Sequence, residues 1–190
     1  MTLYVKIAGS GESAPVVLLH GFGGSHAVWE PIQNKLAAET LTLAYDLPGY
    51  GDSFDYEGAG SVKVATSAIL ADLEARGISS AHIVGHSMGG AVAALMAIFQ
   101  PDRIASLTLL SPGGFGPEIN QRLLQRYAAA QDEAELAASL EAMFGWFSAV
   151  PEGLAEEMLV MRQRPGYREK LIETAKGMAR DGRQGTLPAD

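Results

Sequence analysis

The sequence predicts an α/β fold: a mostly parallel sheet with helices on both faces, joined to a helical lid. Two observations carry that expectation. Up to about residue 115, short apolar runs alternate with stretches of helical periodicity. After Gly116 the pattern is helical throughout and the composition turns more charged. Strands that alternate with helices imply a parallel sheet covered on both faces.

The strands are expected at Leu3–Ile7, Val16–Leu19, Leu41–Tyr45, Ala81–Val84 and Ser106–Leu110. A helix is expected over Ala27–Ala38. A second begins at Ser61, a residue suited to the N-cap, and carries Ala65, Ile69 and Leu73 on one face until Gly77 closes it. Met88–Gln100 is apolar nearly all round, so a buried helix is expected there, with Pro101 marking its end. Further on, Asp132 and Glu135 have the spacing of a capping box. Leu136, Leu140, Met143, Phe144 and Phe147 then recur at helical spacing. Leu154–Met161 and Tyr167–Ala179 read as two more helices, set apart by Pro151, Gly153, Pro165 and Gly166. The division is therefore a core over residues 1–116 and a strandless helical lid over 117–190.

Composition narrows the function. The chain has 190 residues, 47% hydrophobic and 19% charged, as a soluble domain with a real core would. A net charge of −8 argues against nucleic acid and anionic membrane surfaces as partners. No apolar run reaches the roughly 18 residues of a membrane span. The opening "MTLYVKIAGSGES" lacks the basic and apolar regions of a secretory signal, so a cytoplasmic location is expected. With no cysteine, disulfides, thiolate metal sites and a cysteine nucleophile are excluded. Nothing shows metal-ligand spacing or G-x-G-x-x-G, so neither a metal nor a cofactor is expected.

The chemistry-bearing motif is "GHSMGG", residues 85–90, a G-x-S-x-G pattern centred on Ser87. Alone it is weak in a chain with 22 glycines. Its setting strengthens it: "AHIVG" reads as a strand running in, and an apolar helix opens directly after. A nucleophile elbow requires that strand–turn–helix arrangement. Upstream, "VVLLHGFGG" (residues 16–24) is a buried strand entering a glycine-rich loop. Acyl transfer develops negative charge on an oxygen, and two preorganised backbone N–H groups would stabilise it. Met88, after the serine, and Phe22, in the upstream loop, are the candidates. "DLPGYGDS" (residues 46–53) is a tight loop to which no chemistry is assigned; Asp46 and Asp52 are expected to hold it together.

In their order and spacing these three motifs resemble the α/β-hydrolase superfamily. The resemblance covers the chain to about residue 115. It extends loosely through "SPGGFGPEIN", which is similar to acetyltransferase-component-like hydrolases of acetoin dehydrogenase complexes, and to carbon–carbon bond hydrolases acting on ring-cleavage products. It implies Ser87 as nucleophile, the Phe22 and Met88 amides as oxyanion hole, a small to medium apolar acyl compound as substrate, and no cofactor. A serine in place of an aspartate counts against a dehalogenase or an epoxide hydrolase. Acyl transfer to a thiol, and a non-catalytic binding role, are the alternatives.

The resemblance also implies an acid and then a histidine after the serine, on loops following strands beyond the lid. His20, His26, His82 and His86 all precede Ser87. His86 should be turned away by the tight elbow, and His20 suits a structural role. The position after Ser106–Leu110 is Ser111-Pro112, with no carboxylate, and Glu118 is the nearest acid. The expectation is a fragment of a longer hydrolase, lacking the final strands and inactive alone. Ser106–Leu110 would then be an exposed apolar edge prone to self-association, and part of the elbow helix would lose cover.

Three weaker expectations complete the reading. Met143, Phe144 and Trp146 could line a substrate pocket, although a face at helical spacing is more often simply packed. Arg122, Arg126, Arg162, Arg164 and Arg168 are expected to be solvated. His26 is expected to be a surface residue at a helix start.

Overall fold

In the computed structural model, residues 2–144 and 148–187 are described. The chain forms two compact units, residues 1–116 with 186–190, and residues 117–185.

The first unit is built on a five-stranded sheet. The strands are β1 (Val5–Ala8), β2 (Val16–Leu19), β3 (Thr42–Tyr45), β4 (Ala81–His86) and β5 (Ile104–Leu110), in the spatial order β1-β3-β2-β4-β5. β1 runs antiparallel to β3; every other pairing is parallel. All four residues of β3 are buried, and successive side chains point to opposite faces, so the centre of the sheet is covered on both sides. Leu18, Ala44 and Trp29 form one of the core clusters. β4 extends two residues further than expected, because Gly85 and His86 pair with Leu109 and Leu110.

The expected helix over Ala27–Ala38 is corrected. It divides into a short 3₁₀ turn, His26–Trp29, and α1 (Glu30–Leu36). The physical cause is Pro31. A continuous α-helix would need an N–H at that position to reach the Ala27 carbonyl, and proline has none. The N–H of Glu30 donates to Ala27 instead. α2 (Val62–Ala75) starts as expected, with the Ser61 hydroxyl accepting from the Val64 N–H at 3.3 Å, and buries Ala65, Ile69 and Leu73. α3 (Met88–Phe99) is buried from Met88 to Met96, whereas Ile98 and Phe99 are exposed at 48% and 52%. β5 pairs with β4 along one edge. Among the described residues no strand lies on its other side, and Leu107 and Leu110 are exposed.

The second unit contains α4 (Gln121–Ala129), α5 (Glu133–Glu141), α6 (Leu154–Arg162) and α7 (Tyr167–Gly177). α4 packs on α7 and α5, and α5 packs on α6. At the start of α5 the Asp132 carboxylate accepts from the Glu135 N–H at 2.9 Å, while the Glu135 carboxylate accepts from Gln131. Leu136 and Leu140 are buried. Arg126 is exposed and donates to the Ala138 carbonyl at 2.9 Å. The solvated reading of the arginines fails at Arg162, which is half-buried and donates to the Ala128 carbonyl at 3.2 Å, with its guanidinium 4.6 Å from the Tyr127 ring centre. The planar guanidinium reaches a backbone carbonyl and an aromatic face together. Among the described residues no helix is long and apolar enough to cross a membrane.

Candidate active site

Ser87 sits between β4 and α3 with φ 51° and ψ −116°, a left-handed conformation that a non-glycine residue adopts only when its surroundings enforce it. They do so on both sides. The Ser87 N–H donates to Leu110 at 3.0 Å, and its carbonyl accepts from Gly90 at 2.9 Å and Gly113 at 2.8 Å. A side chain on Gly85 would run into the Gly89 carbonyl, and one on Gly89 into the Leu19 and His20 carbonyls. The elbow therefore packs backbone against backbone. Ser87 stands at the N-cap of α3, but its side chain makes no capping hydrogen bond. The residue stands beside a helix N-terminus, which favours negative charge.

The second strand of the site, β2, ends at Leu19, and the loop turns through His20 and Gly21 to Phe22. A β-carbon on Gly21 would lie 3.0 Å from His86 Nδ1 and 3.1 Å from Ser87 Cβ. The loop thus lies directly against the elbow. Phe22 is half-buried and Met88 buried.

None of the four histidines is hydrogen-bonded to Ser87 among the described residues. His20 is fully buried; its Nδ1 lies 2.7 Å from the Gly21 carbonyl, and its Nε2 accepts the Leu47 N–H at 3.0 Å. Both ring nitrogens are therefore used, in a neutral tautomer. Burial pushes its pKa down to about 4, against a smaller opposing effect of the Gly21 hydrogen bond. His82 pairs with Ser106 at 2.8 Å, and His86 is exposed.

His26 corrects its expectation. It is not a bare surface residue: its Nδ1 lies 2.9 Å from Oδ1 of the fully buried Asp46. Asp46 also accepts the backbone N–H of His26 at 2.5 Å and of Asp52 at 2.7 Å. His26, Asp46 and Asp52 bring possible ligand atoms within 4.8 Å of one another. The Asp46 oxygens are already occupied by N–H donors, which makes the group a staple between loops and a poor metal cage. Tyr50, which no sequence signal marked, is buried beneath the site, edge-on to both His20 and Phe22.

The substrate-pocket candidates lie in the second unit or outside the described residues. Met143 is 39% exposed and Phe144 half-buried, while Trp146, like Phe147, falls outside the described residues. α5 ends at Glu141, so the helical spacing that placed Met143 beside Leu136 and Leu140 no longer applies. Within the first unit, Leu47, Pro48, Val62, Ala65, Met88 and Val92 border a crevice with no room for a water molecule, which is a packing gap and not an acyl pocket.

Comparison with known proteins agrees with the fold. The chain is 36% identical over 181 residues to the dihydrolipoyllysine-residue acetyltransferase component of the acetoin cleaving system of Pseudomonas putida, covering 95% of this chain and 49% of that protein. With its counterpart in Cupriavidus necator it shares 34% identity over 185 residues, covering 97% and 50%. The chain thus spans about half the length of these relatives. It superposes on the 2-hydroxy-6-oxo-6-phenylhexa-2,4-dienoate hydrolase of a Rhodococcus species with a TM-score of 0.80 at 26% identity, over 93% of this chain and 67% of that one. A meta-cleavage product hydrolase of Pseudomonas fluorescens is similar in fold, with a TM-score of 0.77 at 23% identity, over 90% and 64%. The model of the alpha/beta hydrolase fold family matches residues 14–171, and the chain belongs to that family.

Proposed function

We propose that this chain carries the nucleophile and oxyanion hole of a serine hydrolase that cleaves an ester or other acyl bond of a small to medium apolar substrate. Ser87 attacks the acyl carbon as the activating histidine takes its proton, and the Phe22 and Met88 amides hold the oxyanion. Collapse breaks the bond to the leaving group, which departs with that proton, and water then hydrolyses the acyl-serine to the free acid and Ser87. Residues 117–190 are the helical lid of this reading. The observation that carries this reading is the Ser87 elbow: a strained serine at φ 51° whose hydroxyl is not spent on capping α3. The activating histidine and its acid come from outside these 190 residues, because each histidine present is engaged elsewhere or turned to solvent.

A fluorophosphonate probe, which reacts with activated serines, tests this. The expected result is negligible labelling of the 190-residue chain and strong labelling of a longer chain with a histidine after the lid, abolished by Ser87→Ala. Labelling that survives Ser87→Ala would overturn the nucleophile assignment. Strong Ser87-dependent labelling of the short chain would place the base within it.

Acyl transfer to a thiol is a second reading, supported by the two acetyltransferase-component relatives. The rate of acetyl transfer to dihydrolipoamide, measured against hydrolysis of the same ester, separates the two. We also propose that copies of the chain associate through β5, where Leu107 and Leu110 are exposed.

A further inference from the structure

We infer that the loop Asp46–Ser53 positions the oxyanion hole: the Asp46–His26 pair latches it to the loop carrying Phe22, and Tyr50 is wedged against both Phe22 and Met88. The inference rests on the proposed role of Ser87, since the hole has a purpose only opposite that nucleophile.

Two clasps bracket Phe22. On one side, His20 bridges the Gly21 carbonyl at 2.7 Å and the Leu47 N–H at 3.0 Å. On the other, one buried carboxylate, Asp46, accepts the His26 backbone N–H at 2.5 Å, the His26 ring N–H at 2.9 Å and the Asp52 N–H at 2.7 Å. The two loops are thereby closed on each other at both ends of the Gly21–Ser25 turn. Inside the closure lies Tyr50, 1% exposed. Its ring meets His20 edge-on at 5.5 Å and Phe22 at 6.4 Å, and its hydroxyl reaches the Met88 sulfur at 4.0 Å. One side chain therefore touches both residues whose amides would form the hole.

This matters because an oxyanion hole works by preorganisation. Its donors must already point at the place where charge will develop, about 2.7–3.1 Å away. Phe22 is flanked by Gly21 and Gly23, residue types that by themselves leave the backbone a wide choice of directions. Hydrogen bonds to a buried carboxylate are among the stronger available and are directional. His26, Asp46 and Tyr50 are positioning residues and do not touch substrate.

Amide hydrogen exchange on the 190-residue chain tests the inference, because it reads the loop whether or not Ser87 is reactive. In His26→Ala, amides of residues 21–26 and 47–52 should exchange at least about tenfold faster, with β4 and α2 unchanged. His26→Asn, which keeps a side-chain N–H for Asp46, should restore most of the protection. Tyr50→Leu should loosen residues 21–23 while leaving the Asp46 clasp in place. Unchanged protection at residues 21–26 in His26→Ala overturns the inference. So does a loss spread evenly over the sheet, or a His26→Asn variant as loose as His26→Ala. If the exchange pattern is as expected while probe labelling does not depend on Ser87, the latch stands and the nucleophile assignment falls.

Discussion

β3 and β5 belong to one sheet and are equally free of charge, yet their surroundings are opposite. β3 has a strand on each side and four buried residues. β5, "IASLTLL", has a neighbour only in β4, and Leu107 and Leu110 are 38% and 40% exposed. α3 repeats the gradient along one helix, buried to Met96 and exposed at Ile98 and Phe99. The other edge of the sheet is different again: in β1, Lys6 pairs with Glu30 at 2.6 Å and puts a charge where another strand would dock. An apolar run records that a strand is suited to burial; what covers it is a property of its neighbours.

The sharpest test of that contrast is a matched pair of truncations. Leu43→Ala in β3 removes methyl groups from a site 1% exposed and should cost about 2–5 kcal/mol. Leu107→Ala in β5 should cost under about 0.5 kcal/mol. Urea unfolding of both variants gives the two values. Equal costs would mean that β5 is covered in solution.

A second test concerns the one histidine sealed inside the covered region. Burial holds the His20 pKa near 4, below its ordinary 6.5. In this range the folded state binds fewer protons than the unfolded state, so stability rises with pH. The contribution of neutral His20 is fully present above about pH 6.5 and is lost as pH falls toward 4, reaching roughly 3 kcal/mol there. The expected observation is a difference in unfolding free energy, wild type minus His20→Asn, that shrinks by this order between pH 7 and pH 4. A pH-independent difference would show that His20 charges freely in the fold.

The elements legible in the sequence were those set by local rules. Ser87 was readable because the elbow needs small residues at fixed spacing, and Gly85 and Gly89 do meet backbone there. α2 was readable from its cap and period. Periodicity alone does not reveal the break within Ala27–Ala38, which comes from the missing N–H of Pro31. The end of β4 is not legible locally, because glycine has a low strand preference and it is pairing with β5 that extends the strand through Gly85 and His86. His26 with Asp46 was illegible: partners 20 residues apart, in two different loops, leave no periodic trace. Tyr50 shares that difficulty, since its value comes from three residues in two segments, both distant from it in sequence.

The smallest expected change in stability carries the last test, of whether the β5 edge joins copies of the chain. Leu107→Lys places a charge on an exposed position of β5, the device by which natural edges resist pairing. Because the side chain is already 38% exposed, folding should be altered by no more than about 0.5 kcal/mol. Association should change far more, since docking a second strand would bury the new ammonium group against apolar side chains. Sedimentation of the wild-type chain should show mass rising with concentration, and the variant should stay at the 20.0 kDa of one chain. A wild-type chain that is monomeric at every concentration would remove the edge as a contact and leave Leu107, Leu110, Ile98 and Phe99 as tolerated exposure. A variant that associates as strongly as wild type would move the contact to another face.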